Sequence, residues 1–177
     1  MTSKPTRSDY FPNYMSWKIT QTAADAYTTD KIYTPIPRNQ IITGNKAIVM
    51  ELLWLECDPH NMHFNNELEE VFWALTTGSP DTSMNPTGFI SNGGCIAYGS
   101  ACMHMLTSGA SVSQKPYITN LQSADGHGIL LATDSFNVLV DSLNSGYTNI
   151  FYFRLYYRFV QINTMEFIGL IQSQQTS

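Results

Sequence analysis

The residues with the most chemical potential cluster at Cys57-Asp58-Pro59-His60-Asn61-Met62-His63, where a thiol, a carboxylate and two imidazoles fall close together. Zinc takes such donors, but a closed tetrahedral site needs a fourth ligand at defined spacing. Cys102 and His104 offer the only second group, and Cys-x-His is not a standard zinc pair. The segment follows a strand-like run and precedes Asn65-Asn66, so it reads as a polar loop and no metal is expected. His127 stands in Asp125-Gly126-His127-Gly128, a turn before another strand. To act as a general base it would need a nucleophile and an orienting acid beside it. There is no Gly-x-Ser-x-Gly elbow, P-loop or paired-carboxylate motif, and Asn92-Gly93-Gly94 reads as a turn. Neither catalysis nor a cofactor is expected.

A different chemistry is written along Ile150–Ile162. Phe151, Phe153, Leu155, Tyr157 and Phe159 occupy odd positions, while Tyr152, Arg154, Tyr156 and Arg158 occupy even ones. A period of two puts one apolar face on a core and an alternating Tyr/Arg face elsewhere. Such a face suits a contact between proteins or with nucleic acid, and equally a solvated sheet surface.

Composition bears on that choice. Charged residues are 13% of the 177 and aromatic residues 12%, with ten Tyr and nine Phe, against about 25% charged in an ordinary domain. A surface poor in charge and rich in tyrosine suits burial against copies of the same chain, although aromatic residues also favour strands. Residues 1–46 hold six bases (Lys4, Arg7, Lys18, Lys31, Arg38, Lys46) against Asp9, Asp25 and Asp30, a balance of +3. Residues 47–177 hold three bases against eleven acids, a balance of −8. Strong polyanion binding needs a denser basic run than this. Cys57, Cys95 and Cys102 are odd in number and lack framework spacing, which speaks against a disulfide-stapled secreted module. No signal-peptide pattern or membrane-spanning run is read, so no membrane insertion is expected.

One domain is expected at this length. Residues 1–16, rich in Ser, Thr, Pro and Asn, read as a flexible, mildly basic arm before a domain over 17–177. Strands are predicted within 17–36, as one long bent strand or two short ones, and at 47–57, 70–77, 97–106, 117–121, 128–139, 150–162 and 164–172, punctuated by Gly, Pro, Asn and Asp. Eight antiparallel strands in two packed sheets is the jelly-roll count. The immunoglobulin sandwich competes but its Cys…Trp…Cys arrangement is absent. The predicted class is all-β, a single eight-stranded jelly-roll sandwich. Asp134 and Asp141 fall within strand-like runs, where Asp is unfavourable unless paired, and so are expected at intersubunit contacts.

The final third carries a recognisable order. Gly126-His127-Gly128-Ile129-Leu130-Leu131-Ala132-Thr133-Asp134 is followed by Tyr156-Tyr157-Arg158-Phe159-Val160 and closed by Glu166-Phe167-Ile168-Gly169-Leu170-Ile171-Gln172-Ser173-Gln174. This resembles the end of capsid proteins of small circular replication-initiator-encoding single-stranded DNA viruses, the CRESS group. The resemblance covers residues 126–175; upstream only the layout of an arm and a Thr-rich strand ending in Pro35–Arg38 is similar. It implies a jelly roll of viral capsid type, a virion protein that closes an icosahedral shell, of the T=1 kind with 60 subunits, around a single-stranded DNA genome. In that family a dense Arg/Lys arm faces the genome, and here Lys4, Arg7 and Lys18 are sparse.

The resulting expectation is a structural protein whose partners are copies of itself and an encapsidated single-stranded DNA. Lys4, Arg7 and Lys18 are the expected genome contacts. Asp134, Asp141, Tyr152, Arg154, Tyr156 and Arg158 are the expected intersubunit contacts. The alternative is a monomeric or small-oligomer jelly-roll or lectin-like module whose Tyr and Trp residues line a ligand site. A cupin-type metal enzyme is disfavoured by the spacing of His60, His63, His104 and His127.

Overall fold

The computed structural model describes residues 12–36, 45–60, 69–78, 94–103 and 116–175. Among the described residues nine strands form two antiparallel sheets. The first sheet holds β1 (Asn13–Thr20), β9 (Ile150–Asn163), β3 (Lys46–His60) and β6 (Tyr117–Asn120), in that order, with β7 (Ile129–Leu131) also on β3. The second runs β2 (Thr28–Tyr33), β8 (Ser135–Leu143), β4 (Glu69–Thr76) and β5 (Cys95–Met103). β6 and β7 are successive pieces of one ladder, against Trp54–Cys57 and Met50–Leu52 of β3. Counting that ladder once leaves the eight positions of a jelly roll, with chain neighbours repeatedly split between the sheets.

The alternation in β9 builds the core. Phe151, Phe153, Leu155 and Tyr157 are buried between the sheets with Leu52, Leu55, Val71, Trp73, Phe136 and Val138. β9 lies between β1 and β3, so its backbone is paired on both sides. β3 is apolar on both faces for a second reason. Its Ala47 and Val49 point away from the core and pack under a terminal helix, α1 (Thr164–Gln175), through Phe167, Leu170 and Ile171.

That helix replaces the strand predicted at 164–172. Its residues Phe167, Leu170 and Ile171 follow the i, i+3, i+4 spacing of one helical face. Asn163 Oδ1 accepts the Glu166 N–H (2.9 Å) and Glu166 Oε2 accepts the Asn163 N–H (3.2 Å), a reciprocal cap at the helix start. Gln174 then reaches the outer edge of β7: its Nε2 donates to Leu130 O (2.7 Å) and its Oε1 accepts the Ala132 N–H (3.0 Å). An amide thus stands in for a missing neighbour strand on an edge that would otherwise be open.

Two further boundaries differ from expectation. The first strand starts at Asn13, four residues inside the segment predicted as an arm; residues 1–11 lie outside the described set. The run at 128–139 breaks at Ala132–Asp134, where the chain crosses from one sheet to the other. Thr34 N–H and Thr34 Oγ1 hold the carbonyls of Asp134 (2.8 Å) and Thr133 (3.2 Å) at that crossing. Asp134 is therefore an exposed bend residue, not a strand-interior one, and it accepts from Ser135 Oγ.

Candidate functional site

The outward face of the first sheet changes character at a bulge in β3 between Leu52 and Trp54. Beyond it, three cross-strand rows form a grid. Tyr14, Tyr156 and Trp54 share the first row, Ser16, Arg154 and Glu56 the second, Lys18, Tyr152 and Asp58 the third. β6 extends the first two rows with Asn120 and Ile118. Pairing register makes this assembly: residues 62 to 142 positions apart in the chain become lateral neighbours, which no local pattern announces.

Trp54 stacks on Tyr156 with ring centroids 4.4 Å apart, and Tyr14 tilts against the same ring at 6.1 Å. The Arg154 guanidinium lies 5.4 Å over the Tyr14 ring, 3.4 Å from the Tyr156 hydroxyl and 3.7 Å from Glu56 Oε2. The Tyr156 hydroxyl, then Glu56 and Tyr14, raise its pKa further above the ordinary arginine value. Next to it lies a depression of about 430 Å³ lined by Ser16, Glu56, Asp58, Pro116, Tyr152 and Arg154. Tyr14 is 63% exposed, Ile118 66% and Tyr152 44%, so large side chains stand in solvent with their partners on only one side. Aromatic rings and a guanidinium in one patch are what protein contact surfaces concentrate.

On the near side of the bulge the same face is closed. Glu51 is 2% exposed and is held by Arg158 through Nε and Nη2, the latter 3.2 Å from Oε1, and by the Gly128 N–H at 2.7 Å. Burial alone would raise the Glu51 carboxyl; the Arg158 and Gly128 hydrogen bonds, with the charges of Arg158 and His127, outweigh it and hold the pKa below the ordinary value. Arg158 Nη2 also reaches Gly126 O, and Leu121 N–H bonds to Leu53 O in the bulge (3.0 Å), so residues 121–128 are clamped onto the sheet. A Cβ on Gly128 would stand 1.9 Å from Leu52 O, so only glycine permits this approach. Arg158, expected between subunits, thus serves inside its own chain, because Glu51 across the β3–β9 ladder needs a cation.

The remaining expectations separate in space. Tyr152, Arg154 and Tyr156 come together as read, joined by Tyr14, Trp54, Glu56 and Asp58, which were not singled out. Tyr14 was hidden by its assignment to the arm, and Trp54 by the doubly apolar pattern of β3. Asp141 lies in the second sheet, half-buried, with Oδ1 accepting the Ser142 N–H (2.8 Å). Lys18 is exposed within the grid beside Tyr152 and Asp58, whereas Lys31 stands on the second sheet, 5.6 Å from the Tyr33 ring. Lys4, Arg7 and Arg38 lie outside the described residues. The Cys57–His60 pair is split, since Cys57 points into the core and His60 is exposed on the strand's end. Burial first, and Asp58 second, push the Cys57 thiol well up, away from reactivity. His127 is 78% exposed and its Nδ1 lies 3.7 Å from Glu51 Oε1. His63 and His104 lie outside the described residues. Among the described residues no three His, Cys, Asp or Glu are placed to hold a metal.

No family model and no curated protein matches the chain. Solved structures do. Apo New Jersey polyomavirus VP1 superimposes with a TM-score of 0.53 at 9% identity, covering 87% of this chain and 100% of that one. The human polyomavirus 7 VP1 pentamer gives 0.51 at 13% identity, covering 85% and 96%. Trichodysplasia spinulosa-associated polyomavirus VP1 in complex with 3'-sialyllactose gives 0.53 at 11% identity, covering 86% and 97%. The likeness is one of fold. It agrees with the jelly-roll sandwich that the strand order gives.

Proposed function

We propose that this chain is a viral coat-protein subunit, a component of the virion that works by self-assembly. The observation that carries the reading is the open grid on the first sheet, an aromatic and guanidinium surface that the described residues leave half uncovered, on a fold similar to polyomavirus VP1. Tyr14, Tyr152, Arg154 and Tyr156 are the side chains assigned to contacts between copies; Asp134, an exposed acid at the crossing from β7 to β8, is a further candidate away from this grid. The resemblance of residues 126–175 to coat proteins of circular single-stranded DNA viruses supports a single-stranded DNA cargo and an icosahedral shell of 60 copies. Lys4, Arg7 and Lys18 are the cations proposed to face that cargo.

Negative-stain imaging with light scattering on the purified chain is the test. Sixty copies of 19.9 kDa make a particle of about 1.2 MDa; a monomer that persists across salt, pH and concentration overturns the reading. Replacing Lys4, Arg7 and Lys18 with Ala is expected to lower the nucleic acid recovered in particles. A second reading, a jelly-roll module that binds a small ligand, is favoured by the depression beside Arg154 and Tyr152. It predicts a discrete monomer or small oligomer in the same experiment.

A further inference from the structure

The core between the sheets ends in a polar layer. Four strands each carry their inward-facing register one step beyond the last apolar residue: Gln21 after Ile19, Glu69 before Val71, Ser142 after Val140 and Asn149 before Phe151. All four side chains are buried, Glu69 at 1% exposure and Asn149 at 0%. Every donor in the layer is committed. Gln21 Nε2 donates to Ala26 O and Ser142 Oγ, both at 3.0 Å. Asn149 N–H donates to Gln21 Oε1 (3.1 Å), and Asn149 Nδ2 to Ser145 Oγ (2.9 Å) and Glu69 Oε1 (3.4 Å). Ser145 Oγ donates to Tyr147 O (2.7 Å) and its N–H to Asp25 Oδ1 (2.8 Å).

Two acceptors are left over, on side chains that touch each other: Glu69 Oε2 and Asn149 Oδ1 have no hydrogen-bond partner among the described residues. A buried carboxylate with a bare oxygen is costly unless a cation or further donors compensate it. Two more carboxylates, Asp25 and Asp141, adjoin the layer; burial first, and the Asp25 charge after it, push the Asp141 carboxyl up. Among the described residues no Lys, Arg or His pairs with Glu69, Asp25 or Asp141. No cation among the described residues therefore answers these three carboxyl groups, and a water at the two oxygens would supply none.

We propose that this layer binds a hard, oxygen-preferring cation of the calcium class, through Glu69 Oε2 and Asn149 Oδ1. Carboxylate, amide and hydroxyl oxygens select such an ion over zinc or copper. With a single buried carboxylate as ligand the affinity is expected to be modest, with Kd about 10⁻⁴–10⁻³ M. The ion would join β4 to the connection before β9, tying the two sheets at one end of the sandwich. This inference is independent of the coat-protein reading, because it concerns the folded subunit.

The test is thermal unfolding of the unassembled full chain in EDTA and with about 5 mM CaCl₂ or MgCl₂ at matched ionic strength, in wild type and Glu69→Gln. Calcium is expected to raise the wild-type Tm by about 2–9 °C, saturably. Glu69→Gln supplies a neutral amide that can donate to Asn149 Oδ1, so it should match or exceed wild type in EDTA and ignore calcium. If wild type does not respond, or both proteins respond equally, the site is not a cation site and the proposal is overturned. Should Glu69→Gln fail to fold, terbium emission sensitised by the protein's tyrosines, displaced by calcium, decides the matter on wild type and Glu69→Asp. A displacement constant about tenfold weaker in Glu69→Asp supports the assignment; an unchanged constant, or no terbium signal, overturns it.

Discussion

Arg154 and Arg158 lie one step of four residues apart on the same face of β9, and they do opposite work. Arg158 neutralises a carboxylate with 2% exposure and pins the 121–128 segment to the sheet. Arg154 is 51% exposed, braced by Tyr14, Tyr156 and Glu56 in the open grid. The two share residue type, strand and face; the difference is what lies above them. One half of the face is closed by α1 and the clamped segment; the other is left open by the described residues. An alternating Tyr/Arg pattern therefore specifies a face but not its fate, which depends on chain that arrives from elsewhere.

The contrast breaks most readily by removing each guanidinium. Arg158→Met leaves Glu51 buried without its cation, and removing one partner of a buried pair costs about 3–5 kcal/mol. Arg154→Met removes a solvent-screened pair and is expected to move the unfolding midpoint far less than Arg158→Met does. Urea unfolding of the unassembled chain measures both, and equal losses would dissolve the distinction between the halves. Gly128→Ala attacks the closed half through the backbone. With its Cβ directed at Leu52 O, the 121–128 segment must lift, at a cost of about 1–3 kcal/mol. Backbone amide exchange at 121–128 should accelerate more than at β9, since the strand itself retains both partners.

The open half should show the reverse behaviour. Tyr14→Ser with Tyr156→Ser is expected to raise the concentration at which particles form by at least about tenfold, the scale of an interface anchor. The folded subunit loses the Tyr156 ring contacts with Trp54 and Tyr14, each on the order of 0.5–1.5 kcal/mol, and the exposed contacts of Arg154 with the two tyrosines. Light scattering against concentration reads the first effect and urea midpoints the second. An unaltered assembly threshold would move the contact surface elsewhere on the molecule.

Acid discriminates the halves as well. The folded pKa of Glu51 is lowered, so its stabilisation is complete above the unfolded glutamate value of about 4.3 and is lost as pH falls through the folded pKa. Wild-type urea midpoints should fall below about pH 4.3, and the double variant Glu51→Gln/Arg158→Met should lack that share of the fall. Arg154→Met should keep the wild-type profile.

How far these features could be read from residues alone follows the range of the forces. The β9 alternation, the doubly apolar β3 and the jelly-roll class were legible, because period and composition are local. The clamp was not: Glu51 and Arg158 meet across a ladder, and Gly128 looked like a turn glycine until Leu52 O was placed against it. The terminal segment was misread because Phe167-Ile168-Gly169-Leu170-Ile171 is short and apolar enough for either structure. The Asn163/Glu166 cap was the signal that favoured the helix, an Asn followed three residues later by Glu. Tyr14 was missed for a related reason, as a polar stretch was read as an arm though its end pairs with Tyr156.

The two glycines of the closed half sharpen the point at the smallest scale. Gly169 sits inside α1 with nothing within 4 Å of a Cβ added there, whereas at Gly128 that atom meets backbone at 1.9 Å. Gly169→Ala should therefore stabilise the subunit by about 0.5–1 kcal/mol through helix propensity alone, where Gly128→Ala destabilises it. A thermal melt of the unassembled chain checks the gain. If Gly169→Ala raises Tm while also raising the assembly threshold, then this face of α1, where Met165 and Ile168 are 81% and 48% exposed, is itself a contact between copies. The closed half would then be closed only within one subunit, its outer layer meeting the next.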